Sequence, residues 1–381
     1  MHNPVLPGLP GPPGANGAPA ASLSASVALH MTPGTGAVET PAASGGSLPR
    51  SERLPVLDIV RGFALMGILI LNMAGFSTSF FAEADGSHLW VSRLDQLAEQ
   101  LRAMLFSGKF NSMFSLLFGI GFTIQYTRMQ QTDPLNADRI YLRRLLVLAA
   151  LGIVHAFIFW PGDVLHTYAI LGIFVLFGLK RVSDRGILIG IGACLLYPLP
   201  SGLLAGRRRW AQRIPELLPQ ARCLTWWLLA IGLICGAAFT VIVELNRVPG
   251  PSPIKLLGGL CYGISRLAMM LFYVMVIVQL SQRAAWQRVF APLAAAGRMP
   301  LTNYLMQTLI CTAIFNGWGL GLYGKIGPAA GFALSLAIFW AVQVPWSLWW
   351  LKTHERGPLE ALWARLTYGR KPAAAGAVAG R

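Results

Sequence analysis

The sequence predicts an all-α fold, a polytopic bundle of about eight or nine transmembrane helices behind a disordered N-terminal tail. Three observations predict it. Of 381 residues, 55% are hydrophobic and 12% charged, whereas a soluble domain carries about 25% charged residues. The apolar residues lie in long unbroken runs, not in the alternating pattern of a barrel strand. Within lipid, only helices and closed barrels satisfy their own backbone groups, so the runs are read as helices.

The net charge of +16 sorts into the segments between the apolar runs, as the positive-inside rule requires. No basic patch is interleaved with aromatics, which excludes nucleic acid as a partner. Anionic lipid headgroups are the expected contact instead. The five cysteines, Cys194, Cys223, Cys235, Cys261 and Cys311, lie in or beside apolar runs without a C-x-x-C pair. They read as small core residues, with neither disulfide nor metal site expected.

Residues 1–52 are rich in Pro, Gly and Ala and bury too little to offset the entropy of ordering. They are expected to be disordered, with Met31 as one candidate start. Residues 53–370 form the membrane domain, and 371–381 a flexible tail. The apolar runs cover 57–76, 104–126, 145–160, 164–179, 186–204, 224–243, 256–280, 300–318 and 329–350. Each approaches the ~20 residues that cross the hydrocarbon, although the third and fourth are short. Only Pro161, Gly162 and Asp163 separate those two, which predicts a tight helical hairpin.

Arg50, Arg53 and Arg61 flank the first run and put the N-terminus in the cytoplasm. The hairpin tip at Asp163 then lies outside. The segment 186–204 breaks the pattern: if it spans, Arg207, Arg208, Arg209, Arg213 and Arg222 fall outside. It ends in Tyr-Pro-Leu-Pro (197–200), which should not be regular helix. The reading preferred is a re-entrant or interfacial element and eight full spans; nine is the alternative.

Polar groups within apolar runs are costly, so each is a functional candidate. Asp58 and Arg61 share a helical face at the start of the first run. They are either an interfacial ion pair or an anion site on the cytoplasmic side. Asn72, near the outer end of that helix, either joins helices or contacts a substrate. His155, Asp163, His166 and Tyr168 bracket the hairpin and should meet at its outer end. Histidine with a carboxylate is equipment for general acid–base chemistry, or else a structural network. The spacing matches no familiar metal-ligand pattern. In Gly-Arg-Met-Pro-Leu-Thr-Asn-Tyr (297–304), Arg298 precedes a helix on which Asn303 and Gln307 share a face. These amides bind a polar ligand or pin helices. Lys109 reads as an interfacial anchor, and Phe-Gly-Ile-Gly (118–121) as close helix packing.

Taken in order, Leu57-Asp-Ile-Val-Arg-Gly, Gly108-Lys-Phe-Asn-Ser-Met-Phe, Leu151-Gly-Ile-Val-His, Gly162-Asp-Val-Leu-His-Thr-Tyr, Gly297-Arg-Met-Pro-Leu-Thr-Asn-Tyr and Gly357-Pro-Leu-Glu-Ala-Leu-Trp resemble the bacterial YeiB-like family of inner-membrane proteins. That family looks distantly related to transmembrane acyltransferases such as heparan-alpha-glucosaminide N-acetyltransferase, through the Asp58-x-x-Arg61-Gly62 element. The resemblance implies an enzyme that moves an acyl group from cytoplasmic acyl-CoA to an acceptor at the membrane or its outer side. In those enzymes the catalytic histidine follows the first shared span. Here that loop offers only His88 in unmatched surroundings, so His155 or His166 is expected to substitute, with Asp163 orienting it and Tyr168 assisting. Arg61, Arg144 and Arg298 are the expected hold on CoA phosphates, with Asp58 steadying Arg61. A lipid, glycan or small-molecule acceptor is the expected partner, and a homodimer is admitted. The rival is a transporter or lipid-handling protein without chemistry; a purely structural membrane partner is the third reading.

Overall fold

The computed structural model describes residues 54–78, 90, 92–178, 182–183, 199–246, 250 and 252–369, all of them in one unit spanning Ala43–Arg381. Both tails, His88 and most of 186–204 lie outside the described residues.

Every regular element among the described residues is helical, which bears out the all-α membrane bundle. The chain runs through α1 (Pro55–Ser77), α2 (Arg93–Leu101), a π segment (Arg102–Phe106), α3 (Lys109–Thr132), α4 (Ala137–Ile158), α5 (Leu165–Phe177), α6 (Leu199–Arg207), α7 (Ile214–Leu245), α8 (Pro253–Ser281), α9 (Ala284–Gly297) and α10 (Pro300–Phe315). It ends with α11 (Pro328–Ala337), a second π segment (Ile338–Gln343), α12 (Val344–Trp350) and α13 (Pro358–Tyr368). The starts follow local chemistry. Proline occupies the first turn of α1, α7, α8, α10, α11 and α13, where its missing N–H costs nothing. The Ser92 and Ser252 side chains cap α2 and α8 by accepting from the backbone N–H of Asp95 and Lys255.

Among the described residues, six helical stretches are long and apolar enough to cross a membrane, where eight or nine spans are predicted for the whole chain. α5 and α10 have 13 and 16 residues, about 20 and 24 Å at 1.5 Å per residue, short of the ~30 Å core. The ninth candidate lies mostly outside the described residues. Its end differs from the prediction: Leu199 and Pro200 lie within α6. α6 packs on α3, with Gly202 against the Leu116 carbonyl and the Cα of Gly119. Of the two glycines at 119 and 121, only Gly119 makes that approach; Gly121 faces open space.

α1 is the centre of the bundle, touching α3, α8, α9, α10 and α11. Its crossing with α9 is backbone on backbone: a Cβ on Gly62 would stand 1.9 Å from the Leu293 carbonyl oxygen, and one on Gly297 1.9 Å from that of Asp58. Small residues at such crossings replace the missing hydrophobic drive between helices in lipid. Buried amides add direction. Asn303 Nδ2 donates to Ala296 O (2.9 Å) and Ser347 Oγ (3.0 Å). Gln307 Nε2 donates to Leu65 O (3.1 Å) and Gln343 Oε1 (2.9 Å), and Gln343 Nε2 returns to Asn303 O (2.7 Å).

A carboxylate from outside α10 caps its first turn. Glu360 on α13 accepts from the backbone N–H of Leu301 (2.7 Å) and Thr302 (3.0 Å) and from Thr302 Oγ1 (2.5 Å). Glu360→Ala leaves those donors buried and unanswered, so it should cost about 1–3 kcal/mol. Thermal unfolding in detergent should register a drop of several degrees. A variant as stable as the wild type would mean the α10–α13 junction is held by packing alone.

Candidate functional site

The polar groups collect at two places. The first is the N-terminal end of α1. The Gly297–Asp58 contact brings Arg298 beside the Asp58–Arg61 pair, and Glu360 draws α13 to the same end. Arg61 Nη1 donates to Asp58 Oδ1 at 2.7 Å, with both side chains partly exposed. Arg298 Nη2 donates to the Glu355 carbonyl at 3.2 Å. The Arg144 guanidinium lies 3.6 Å over the Trp363 ring, and Trp363 Nε1 donates to Arg144 O. The three predicted arginines thus converge on one end, from α1, α4 and the α9–α10 junction.

The second place is the α4–α5 turn, set beside the C-terminal end of α1 by the Phe76–Trp160 ring contact (4.5 Å). Gly152 lets the turn close, since a Cβ there would reach His166 N at 2.4 Å and Asp163 Oδ2 at 3.0 Å. Asp163 is the hub. Its Oδ1 receives His155 Nδ1 at 2.8 Å, and its Oδ2 receives His166 Nδ1 at 2.9 Å and the His166 backbone N–H at 3.2 Å. Burial opposes ionisation of Asp163, but the hydrogen bonds from both histidines and from the backbone of His166 and Leu165 outweigh it. They hold its carboxyl below the usual carboxylate range.

The two histidines differ in access. His155 is 2% exposed and His166 34%. Among the described residues, the buried Nε2 of His155 has no hydrogen-bond partner. In the neutral ring with Nδ1–H directed at the carboxylate, that nitrogen is the one that carries the lone pair. Tyr304 packs beside the ring at 5.5 Å, and its hydroxyl accepts from Val164 N at 3.3 Å. The sequence reading missed Tyr304; a tyrosine inside an apolar helix must find a partner for its hydroxyl, which was the available signal.

Val164, Thr167 and Tyr168 of the turn line a cavity of about 300 Å³ with Leu71 of α1, Ser107, Gly108, Asn111, Ser112 and Ser115 around the start of α3, and Tyr262 and Arg266 of α8. Tyr168 Oη donates to the Asn111 carbonyl at 3.0 Å, so its proton ties α5 to α3. Asn72 is half-buried next to Leu71 with no hydrogen bond among the described residues. Asn303 and Gln307 use both amide protons between helices, away from this lining. Lys109 corrects the prediction of an interfacial anchor: it is 2% exposed. The turn at Gly108, with φ +72°, folds the chain back so that Lys109 Nζ meets Ala103 O at 3.3 Å. Arg266 was also missed, although a charge in the middle of an apolar run is a signal in itself.

Residues 205–370 match the family described as protein of unknown function (DUF418). The chain is 30% identical to the uncharacterized protein YxaH of Bacillus subtilis (strain 168), an alignment covering 84% of this chain and 95% of the relative. It is 29% identical to an uncharacterized 39.9 kDa protein in the amylase 3′ region of Bacillus acidopullulyticus, over 84% and 95% of the two chains. It is 26% identical to the uncharacterized protein YeiB of Escherichia coli (strain K12), over 83% and 96%. No solved structure matches. The near full-length alignments and the family match over the C-terminal half agree, and the chain belongs to the YeiB-like DUF418 family.

Proposed function

We propose that the protein is an integral-membrane acyltransferase of the bacterial inner membrane, with its N-terminus in the cytoplasm. It takes an acyl group from cytoplasmic acyl-CoA and delivers it to an acceptor at the other side. The observation that carries this reading is the buried His155–Asp163 pair with an unpartnered imidazole nitrogen. Separation of that pair from the arginine-bearing end supports it as well, because the two ends suit the two halves of such a substrate pair.

The chemistry is that of a general base. His155 Nε2 takes the proton of an acceptor hydroxyl or amine as that oxygen or nitrogen attacks the thioester carbonyl. Asp163 holds the ring and stabilises the imidazolium. The tetrahedral intermediate collapses, the C–S bond breaks, and the thiolate leaves with the proton from His155, giving acylated acceptor and free CoA. Asn72, half-buried near the C-terminal end of α1, is the side chain assigned to steady the oxyanion. Tyr168 orders the wall of the site. His166, on the other oxygen of Asp163, connects the pair to the more exposed side of the turn. Arg61, Arg144 and Arg298 bind the CoA phosphates, with Asp58 fixing Arg61.

Acyl-CoA binding to the purified protein in detergent tests this, by calorimetry and thermal shift. Saturable binding is expected, about tenfold weaker or more for dephospho-CoA and for Arg61→Ala, the loss of one charge-assisted contact of roughly 1.5–3 kcal/mol. A folded, monodisperse sample that binds no acyl-CoA overturns the transferase and leaves the His155–Asp163 pair as a proton or substrate site of a transporter.

A further inference from the structure

We propose that the cavity beside the α4–α5 turn is an anion site that takes a phosphate group, carried on a lipid headgroup or on a small soluble molecule. As the acceptor site of the transferase the inference rests on the reading above; as a binding site it stands alone.

The argument begins with charge. Arg266 lines the cavity, and no acidic side chain is among its described lining residues. Lys109 lies just behind it. Its Nζ sits 6.0 Å from the centroid of the Tyr262 ring, and the Arg266 guanidinium sits 5.9 Å from the same centroid. Two cations therefore lie about 6 Å from one ring of the cavity lining. Lys109 is 98% buried, makes one hydrogen bond, to Ala103 O, and forms no ion pair among the described residues. A buried ammonium without a counter-charge is costly unless a partner or a ligand supplies one.

The rest of the lining fits phosphate better than a bare halide. Ser107, Ser112 and Thr167 present hydroxyls, and Tyr262 a phenol, which are donors for the oxygens that a guanidinium leaves uncovered. Gly108 lets the Tyr262 and Arg266 side chains close against the chain at the cavity wall: any Cβ there would strike Tyr262 Oη at 2.5 Å and Arg266 Cδ at 2.6 Å. The volume, about 300 Å³, is at the small end of ligand pockets. It admits a headgroup and leaves acyl chains in the surrounding lipid.

The test uses the full chain in a neutral detergent, with thermal unfolding as the readout. One arm titrates inorganic phosphate. The other compares mixed micelles containing phosphatidic acid with micelles containing phosphatidylcholine. Saturable stabilisation is expected in at least one arm. It should require at least tenfold more ligand in Arg266→Gln, be partly restored in Arg266→Lys, and be unchanged in Arg283→Gln, an exposed arginine elsewhere. Response to phosphate alone identifies a soluble ligand; response to phosphatidic acid alone identifies a headgroup. If Arg266→Gln does not fold, Lys109→Met and the loss of wild-type binding in raised NaCl take its place. No saturable stabilisation in either arm overturns the site, as does binding indifferent to Arg266, Lys109 and salt. Anion binding without acyl transfer keeps the site and removes the transferase. Acyl transfer without anion binding keeps the transferase and removes this cavity as its acceptor site.

Discussion

Gly62→Ala is expected to leave little folded protein, although it adds one methyl group. The added Cβ would fall 1.9 Å from the carbonyl oxygen of Leu293 and 2.7 Å from its carbon. A side chain in the way can change rotamer; a helix backbone in the way cannot. The helices must separate by more than an ångström, and the separation reaches everything that depends on their contact. Gly297 sits against Asp58 O and Gly62 N on the same crossing. Asn303 donates to the carbonyl of Ala296 on α9, and Gln307 to that of Leu65 on α1. Overpacking of side chains costs about 1–3 kcal/mol, and forcing two backbones apart should reach or exceed the upper figure. Against a total stability of about 5–15 kcal/mol, that is a large share. The measurement is yield of monodisperse protein and its melting temperature in detergent. Gly121→Ala is the matched control, because nothing lies within 4 Å of its Cβ position. It should fall within about 0.5 kcal/mol of wild type. Equal stability of the Gly62 and Gly121 variants would show that the α1–α9 crossing is looser than described.

That crossing also shows where sequence reading succeeds and where it stops. Asp58-x-x-Arg61-Gly62 and Gly297-Arg298 are separate stretches in the chain, and nothing local says that they touch. The resemblance singled out both, but the reason they belong together is a contact across more than two hundred residues. By contrast, the grouping of His155, Asp163 and His166 was legible, because three residues between two apolar runs force a hairpin whose flanks must meet. The membrane fold was legible from composition and run length alone. Element ends were less so: the run at 104–126 became α3 at Lys109–Thr132, with a π segment ahead of it. Lys109 was misread for that reason. At the edge of an apolar run a lysine normally snorkels, and only the turn at Gly108 draws this one inward. The same limit hid Glu360, whose three bonds go to residues nearly sixty positions away, and the pairing of Arg266 with the start of α3.

His155→Gln should lower acyl transfer about 10²–10⁴-fold, the usual contribution of a positioned general base, while the protein remains folded. Release of CoA thiol in the presence of membrane lipid extract is the readout. Asp163→Asn should approach the same loss by a different route. An amide in place of the carboxylate neither holds the Nδ1–H tautomer of His155 nor stabilises the imidazolium. Because the two residues act as a unit, the double variant should be little slower than the worse single one. Losses that multiply would mean that Asp163 acts elsewhere, through His166 or through folding. Stability separates these further. The Asp163 carboxyl is held below its ordinary range, so its contribution is fully present above the unfolded-state value of about 3.9 and is lost as pH falls through the lower folded value. Melting temperatures of wild type and Asp163→Asn should therefore differ at neutral pH and converge in acid, while those of His155→Gln remain near wild type if the ring's principal role is chemical. An Asp163→Asn deficit that persists unchanged into acid would place the main role of the carboxylate outside its charge. A His155→Gln protein that transfers at the wild-type rate would remove the general base from the mechanism altogether.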